Sequence, residues 1–277
     1  MMIDTHCHIN MMVKSEFDRL LSPQECSEAQ SIINQAQDAG VSYIINVGTS
    51  LIESINCLTL AQRYPATTFA AVGIHPNDAT SLWKQEITEL EKLIESNGNS
   101  IVAVGECGLD YHYPGYNKSM QYDVFKAHIE LALRHNKTLI VHTRDAIDDT
   151  MSILEPYKYD LKRTVIHCYS ESVLYAQTLT EWGFYLGIDA PITYPKNQTL
   201  KDVVAAIDIS SLVLETDAPF LPPQSMRGKK NHPAYLAAVA QEIAQIKQVS
   251  YEYICQQTTR NACTLFNLKE PSWNLKG

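Results

Sequence analysis

The stretch Met2-Ile3-Asp4-Thr5-His6-Cys7-His8 reads as a β-strand that ends in two potential metal ligands. Side chains alternate between the two faces of a strand, so Asp4, His6 and His8 are expected on one face. Two imidazoles two residues apart on one face can bind a single metal ion. Because a lone His-x-His pair is weak evidence, its meaning depends on what stands at the ends of the other strands.

Apolar runs of strand length alternate with helical patterns along the chain. The eight runs are residues 3–7, 43–47, 69–74, 101–106, 138–142, 164–167, 184–188 and 212–217. Their interiors are continuously apolar, as in Ile101-Val102-Ala103-Val104, which is typical of parallel strands covered on both faces. This alternation predicts an α/β fold, a (β/α)8 TIM-like barrel that forms one domain over residues 1–277. A doubly wound open sheet is the alternative fold.

The predicted helices lie between these runs and after the last one. They cover roughly residues 27–39, 51–63, 81–96, 119–135, 146–157, 172–182, 200–207, 233–245 and 251–266. Asp145 directly precedes one of them, and we expect it to cap that helix rather than to act on substrate.

Composition places the chain among ordinary globular proteins, with 45% hydrophobic and 19% charged residues. A net charge of −9 argues against sequence-independent adhesion to nucleic acid or membrane, although it leaves room for a local basic pocket. No apolar run has transmembrane length and the start does not resemble a signal peptide, so we expect a cytoplasmic protein without a membrane partner. The seven cysteines include no C-x-x-C pair, which indicates reduced thiols, and Cys7, Cys107 and Cys168 are expected to face the helices.

Five of the eight runs end in side chains that can bind a metal. The candidate ligands are His6, His8, Glu106, His142, His167 and Asp217. Taken singly, each of the last four could cap a loop or be a hydrogen-bonded core residue. All of them stand at the C-terminal ends of strands, however, where the βα loops of such barrels carry chemistry, and this favours the barrel over the open sheet.

Imidazole and carboxylate together suit divalent ions such as Zn²⁺, Mn²⁺ and Mg²⁺. Six groups are more than one catalytic ion takes, because a position must stay open for water. We therefore expect two divalent metal ions per chain, bridged by Glu106, which follows Gly105 and so has room around its carboxylate. Glu106 and Asp217 are the expected catalytic residues, and Asp217 would also accept a proton from the attacking water. Asp4 and Glu215 stand two residues before candidate ligands and are expected to orient them.

Loop residues are the candidates for binding substrate. His75 follows the third run, and Arg144 follows His142. Arg227, Lys229 and Lys230 form the clearest basic cluster of the chain, in the long loop after Asp217. Such a cluster can clamp phosphate, and its alternative reading is a solvated surface loop.

The motifs resemble those of the TatD family of metal-dependent deoxyribonucleases, within the amidohydrolase-like barrels. The matching stretches are Asp4-Thr5-His6-Cys7-His8, Gly73-Ile74-His75-Pro76, Gly105-Glu106-Cys107-Gly108-Leu109-Asp110-Tyr111, His142-Thr143-Arg144-Asp145-Ala146, His167-Cys168-Tyr169-Ser170, Glu215-Thr216-Asp217-Ala218-Pro219 and Arg227-Gly228-Lys229-Lys230-Asn231. The resemblance implies a TIM-like barrel of the metallo-dependent hydrolase type, with metal ligands at the six positions named above. It also implies a phosphodiester hydrolase, typically a DNA exonuclease acting from the 3′ end through a metal-activated water, with single-stranded DNA or DNA 3′ ends as partner.

Two residues depart from the pattern of that family. Glu171 stands where the family usually has glycine, and His232 where it usually has glutamate. A protonated His232 near the phosphate path would tighten DNA binding as the pH falls from about 8 to 6. A small-molecule amidohydrolase or deaminase on the same barrel is the alternative function, and a non-catalytic, metal-stabilised binding protein is a third hypothesis.

Overall fold

The computed structural model describes residues 1–14 and 16–271. Eight parallel strands follow one another in sequence order around one sheet. They are β1 (Met2–Cys7), β2 (Val41–Val47), β3 (Thr68–Val72), β4 (Ile101–Asp110), β5 (Thr138–Arg144), β6 (Thr164–Ile166), β7 (Tyr185–Ile188) and β8 (Leu212–Leu214). A parallel bridge between Cys7 and Ala218 brings the first strand against the segment after the last, so the sheet is a nearly closed barrel. The prediction of a (β/α)8 barrel is confirmed, and the open sheet is excluded.

Helices alternate with the strands and surround the sheet. They are α1 (Ile9–Met12), α2 (Pro23–Asp38), α3 (Leu51–Arg63), α4 (Trp83–Ser96), α5 (Lys118–Arg134), α6 (Ile147–Leu154), α7 (Val173–Glu181), α8 (Gln198–Ala206), α9 (Leu236–Lys247) and α10 (Tyr251–Phe266). The short helix α1 lies outside the predicted set. Asp145 does not cap α6, because its backbone is left-handed, at φ +55°, and the residue at the cap position is Ala146.

Two apolar layers hold the barrel together. Outward-facing strand residues such as Val141 form one buried layer with helix residues such as Leu60 and Phe125. Inward-facing residues form the second, which includes Ile45, Ala71, Ile140, Val165 and, from α10, Leu265 and Phe266. The Thr138 hydroxyl, at the start of β5, donates to the Leu265 carbonyl at 2.5 Å, so α10 closes the N-terminal end of the barrel. The polar candidate ligands lie at the opposite, C-terminal end of the barrel.

Strand β4 runs four residues beyond Glu106, farther than the sequence predicts. Gly105 and Gly108 have φ of +133° and +143° within it, and a Cβ at Gly105 would lie 2.5 Å from the Ile140 carbonyl oxygen. The irregular pairing with β5 between Val104 and Cys107 thus needs glycine, and it sets the direction of the Glu106 side chain.

Within residues 1–14 and 16–271, no helix combines the length and apolar character needed to cross a membrane.

Candidate metal centre

Strand β1 and the residue after it supply two imidazoles that face one point. The Nε2 atoms of His6 and His8 lie 3.2 Å apart, and both rings are buried. His8 Nδ1 lies 2.8 Å from the Val47 carbonyl oxygen, to which it can only donate. In neutral His8 the lone pair is therefore on Nε2, the atom that faces His6, as a metal ligand requires.

Asp4 does not orient these imidazoles as expected. Its carboxylate accepts hydrogen bonds from the Thr216 backbone N–H (3.0 Å), the Thr216 hydroxyl (2.6 Å) and the His6 backbone N–H (3.3 Å). The pairing of β1 with β2 is irregular between Asp4 and Cys7, which interrupts the alternation of faces assumed from the sequence. Asp4 therefore ties β1 to the segment after β8 through backbone contacts.

Glu106 is the centre of the cluster. Its Oε2 lies 3.3 Å from His6 Nε2, whereas its Oε1 lies 2.8 Å from His142 Nδ1 and 3.6 Å from His167 Nε2. The two oxygens of one carboxylate thus face two different groups of imidazoles. This is the arrangement that a bridging ligand requires.

Asp217 reaches the same cluster from the segment after β8. Its backbone N–H donates to the His6 carbonyl at 2.9 Å, and its φ of +55° turns the side chain inward. Asp217 Oδ1 then lies 3.3 Å from His8 Nε2, 3.8 Å from His6 Nε2 and 4.0 Å from His167 Nε2. All six residues predicted as ligands are brought together.

His167 is fixed by Glu215, which the sequence predicts to orient Asp217 instead. Its Nδ1 lies 2.8 Å from Glu215 Oε1, and its ring stacks on that of His6 with centroids 3.5 Å apart. A Cβ at Gly187 would lie 2.5 Å from the Glu215 carboxyl carbon. Any larger residue at this position of β7 would therefore clash with the carboxylate. Imidazole held by a buried carboxylate on the far nitrogen is a common metal-site arrangement.

His142 is fixed by Asp110, a residue to which the sequence reasoning gave no role. His142 Nε2 lies 3.1 Å from Asp110 Oδ2, which also accepts a hydrogen bond from the Asn77 side chain at 3.0 Å. Asp110 could have been found by extending the alternation of β4, because Glu106, Gly108 and Asp110 follow at intervals of two. The predicted strand ended at Glu106, which hid this signal.

The cluster is arranged around ionised carboxylates. Burial would raise the pKa of Glu106, but the charges of His167 and His6 outweigh it and hold that pKa well below its ordinary value. Burial would likewise lower the pKa of His167, but the charges of Glu215 and Glu106 prevail and raise it to about 10. Buried anions that hold protons on neighbouring imidazoles can hold divalent cations in their place.

The spacing of the donor atoms fits such ions. Ligand atoms around a tetrahedral ion at about 2.0–2.1 Å lie about 3.4 Å from one another. The three distances that join His6 to His8, His6 to Glu106 and His8 to Asp217 are 3.2, 3.3 and 3.3 Å. We conclude that the residues present are suited to divalent metal in both donor type and geometry.

An open pocket lies above the cluster. Besides the candidate ligands it is lined by His75, Thr49, Asp78, Arg144, Phe220 and Leu221. The His75 ring lies edge-on to His142 at 4.6 Å, and burial lowers its pKa to about 4, so it is neutral at pH 7. Its Nδ1 accepts from the Asn77 backbone N–H at 3.1 Å, which leaves an Nε2–H to donate to a substrate.

The basic loop after β8 lies apart from this pocket. The Arg227 guanidinium lies over the Tyr194 ring at 5.0 Å and lines a neighbouring hollow with Lys196. Lys229 is exposed, and Lys230 borders a third hollow beside Met12. None of the three is among the described residues that line the pocket above Glu106. Their contact with substrate stays a prediction.

Comparison with known proteins agrees with this geometry. The family model described as TatD related DNase matches residues 3–267. The chain belongs to this family. It is 33% identical over 268 residues to an uncharacterized metal-dependent hydrolase, YabD, of Bacillus subtilis, across 97% of this chain and 100% of that protein. It is 32% identical over 254 residues to a protein of Erwinia tasmaniensis named 3′-5′ ssDNA/RNA exonuclease TatD, across 90% of this chain and 97% of that one.

Solved structures give the same result. The crystal structure of YjjV, a TatD homolog from Escherichia coli K12, matches with a TM-score of 0.86 at 29% identity, over 97% of this chain and 98% of that chain. More distant barrels share the fold alone: a 5-methylcytosine deaminase from Klebsiella pneumoniae matches with a TM-score of 0.66 at 12% identity, over 95% of this chain and 74% of its own. The resemblance to the TatD family is therefore confirmed.

The structure also places the two residues that depart from the TatD family pattern. His232 Nδ1 accepts a hydrogen bond from the Ala234 backbone N–H at 3.0 Å, and burial lowers the pKa of the ring. Protonation of Nδ1 would break this bond, so the hydrogen bond and the burial both oppose the positive charge on His232 that the predicted tightening of DNA binding needs. Glu171 is partly buried, and burial together with the charges of Asp145 and Asp148 raises its pKa.

One thiol lies where it was not expected. Cys7 and Cys107 belong to the layer between the sheet and the helices, as predicted. Cys168 instead lines the pocket, with its Sγ 3.1 Å from Asp189 Oδ2. Strand β6 ends two residues earlier, at Ile166, and Cys168 has a φ of +46°, so the alternation of a strand does not extend to it.

Proposed function

We propose that this protein hydrolyses phosphodiester bonds with two divalent metal ions, as a DNA exonuclease that removes nucleotides from the 3′ end of single strands. The observation that carries the proposal is the position of Glu106, whose two oxygens face separate groups of imidazoles beneath an open pocket. The name of the Erwinia relative, a 3′-5′ ssDNA/RNA exonuclease, supports the substrate and the direction.

The six residues divide between the two ions according to their geometry. His6, His8 and Asp217 would hold one ion, His142 and His167 the other, and Glu106 would bind both. The imidazoles favour Zn²⁺ or Mn²⁺ for affinity, whereas Mg²⁺ is available at higher concentration. When bound, the pair of ions would supply a water activated near neutral pH and charge to neutralise the phosphate.

Other side chains of the pocket would position the substrate and move the proton. Asp217 borders the pocket and stays ionised, because contacts with His8 and His167 outweigh burial and lower its pKa, so it can accept the proton of the attacking water. Arg144 and the Nε2–H of His75 can bind phosphate oxygens at the pocket wall. Arg227, Lys229 and Lys230 would contact phosphates farther along the strand.

Cleavage of end-labelled single-stranded DNA in Mg²⁺, Mn²⁺ and Zn²⁺ tests the proposal. We expect a 5′-labelled strand to shorten in a ladder, and a 3′-labelled strand to release labelled mononucleotide from the first turnover. The variant Asp217→Asn should be inactive, whereas Asp202→Asn, on the surface of α8, should match the wild type. Hydrolysis of small amides or nucleobases, with all DNA left intact, would favour the amidohydrolase or deaminase alternative.

A further inference from the structure

Two exposed tyrosines stand on the loop that follows β4, the strand that carries Glu106. Tyr113 is 54% exposed and Tyr116 is 42% exposed. The loop begins directly after Asp110, which contacts His142, so its first residues are attached to the centre itself. Large aromatic side chains left in water next to a site are candidates for binding ligand.

The loop is held in place by contacts of its own. Tyr116 stacks on Tyr111 with ring centroids 4.6 Å apart and 15° between the ring planes, and the Tyr111 hydroxyl donates to Asp149 at 2.8 Å. The His112 backbone N–H donates to Asp110 at 2.9 Å, and its ring nitrogen Nδ1 lies 2.8 Å from the Asp145 carboxylate. Tyr113 is therefore presented by an ordered loop, which reduces the entropy cost of binding a partner.

Arg144 joins this tyrosine to the pocket. Its guanidinium carbon lies 5.4 Å from the centroid of the Tyr113 ring. Arg144 is the only lysine or arginine among the described residues that line the pocket above Glu106, and it forms no ion pair with a carboxylate of residues 1–14 or 16–271. An uncompensated cation beside an exposed aromatic ring suits a ligand that carries both an anionic group and a flat ring. A nucleotide of an unpaired strand carries both.

We propose that Tyr113, backed by Arg144, is a stacking site for an unpaired nucleobase of the substrate strand. This inference rests on the proposed function and adds a substrate contact outside the metal centre. The bases of a duplex are stacked on one another, so a base must first be freed to lie on the tyrosine. The site thereby favours single-stranded over double-stranded nucleic acid.

The test compares the binding of two strands that differ only in their bases. The probes are a fluorescein-labelled oligothymidylate and an abasic oligodeoxynucleotide of the same length, bound by the full-length protein in Ca²⁺ to suppress cleavage. The quantity measured is the ratio of the two Kd values. Tyr113→Ala should reduce the preference for the base-containing strand about tenfold, whereas Tyr113→Phe, which keeps the ring, should retain it.

Tyr122→Ala is the matched control. Tyr122 is a 39% exposed tyrosine on α5, and the cation beside its ring is the Lys126 ammonium, 4.8 Å from the centroid, rather than the pocket-lining Arg144. We expect the wild-type ratio for this control. An unchanged ratio in Tyr113→Ala, in a protein that still degrades DNA, would overturn the stacking site alone. Failure of the wild type to bind or cleave either strand would overturn the stacking site together with the proposed function.

Discussion

The two sides of Glu106 are built differently. On the Oε2 side, the side chains of His6 and His8 are 0% and 3% exposed, and His8 is fixed by a backbone carbonyl of β2. On the Oε1 side, His167 is 4% exposed and is fixed by the side chain of Glu215. The side chain of His142 on the same side is 16% exposed and is fixed by the side chain of Asp110. One side therefore depends on the rigid sheet, and the other on a relay of side chains at the pocket wall. If two ions bind as proposed, we infer that the buried side binds its ion more tightly, whereas the open side exchanges its ion and meets the substrate.

The largest effect is expected from Glu106→Gln, because this carboxylate belongs to both sides. Activity on single-stranded DNA should fall by about a thousandfold or more, beyond the effect of removing a single active-site hydrogen bond. Elemental analysis should show less metal than in the wild type. Asp202→Asn, on the exposed face of α8, should change neither. Full metal content in Glu106→Gln would refute the bridging role.

A second pair of variants separates the two sides. The ion of the buried side should stay bound during gel filtration of the wild type. His8→Asn should abolish this retention, because it removes a ligand on the buried side. His142→Asn should keep that ion but raise the metal concentration needed for half-maximal cleavage by about 100-fold or more, since losing only a partner that orients a ligand already costs about 10- to 100-fold. Equal loss of metal in both variants would mean that the two sides do not differ in affinity.

These variants concern positions that the sequence could predict, and the reason is physical. Each candidate ligand follows an apolar run, and parallel strands in a barrel place their C-terminal ends at one rim. The sequence thus brings His6 and Asp217 together although they are far apart along the chain. Loops follow no such period, so the path of Arg227 after β8 could not be predicted. Asp110 was missed because two glycines carry β4 past the end of its apolar run.

His128 holds the backbone next to His75, at the wall of the open side. Its burial leads to a prediction about how the stability of the fold depends on pH. Its Nε2 accepts from the backbone N–H of Ile74, the residue before His75, and burial lowers its pKa to about 4. Between pH 4 and 6.5 the unfolded chain therefore binds a proton that the folded one does not, so this histidine stabilises the fold above pH 6.5 and less as the pH falls.

The test of that prediction is a difference between two proteins. His128→Gln keeps an acceptor for Ile74 but has no such proton. We expect this variant to be less stable than the wild type at pH 7.5. The difference between their free energies of unfolding, measured with urea, should be about 2 kcal/mol smaller at pH 5. A deficit independent of pH would mean that His128 is not held neutral.

The smallest effect is expected at the basic loop, far from Glu106. Neutralising Arg227, Lys229 and Lys230 together should weaken DNA binding and flatten its salt dependence, by about 0.7 in the logarithmic slope for each phosphate that these side chains no longer neutralise. Metal content should stay the same. A Kd and a salt slope equal to those of Lys126→Gln, on α5, would assign the loop to the solvated surface.

The most direct test of the two-metal centre is anomalous X-ray scattering from crystals grown with Mn²⁺. We expect two peaks on opposite sides of the Glu106 carboxylate, about 3.5–4 Å apart as in other two-metal sites. The peak beside His6 and His8 should be the stronger at limiting Mn²⁺. A single peak at saturating Mn²⁺, or two peaks that do not share Glu106, would contradict a centre bridged by this residue.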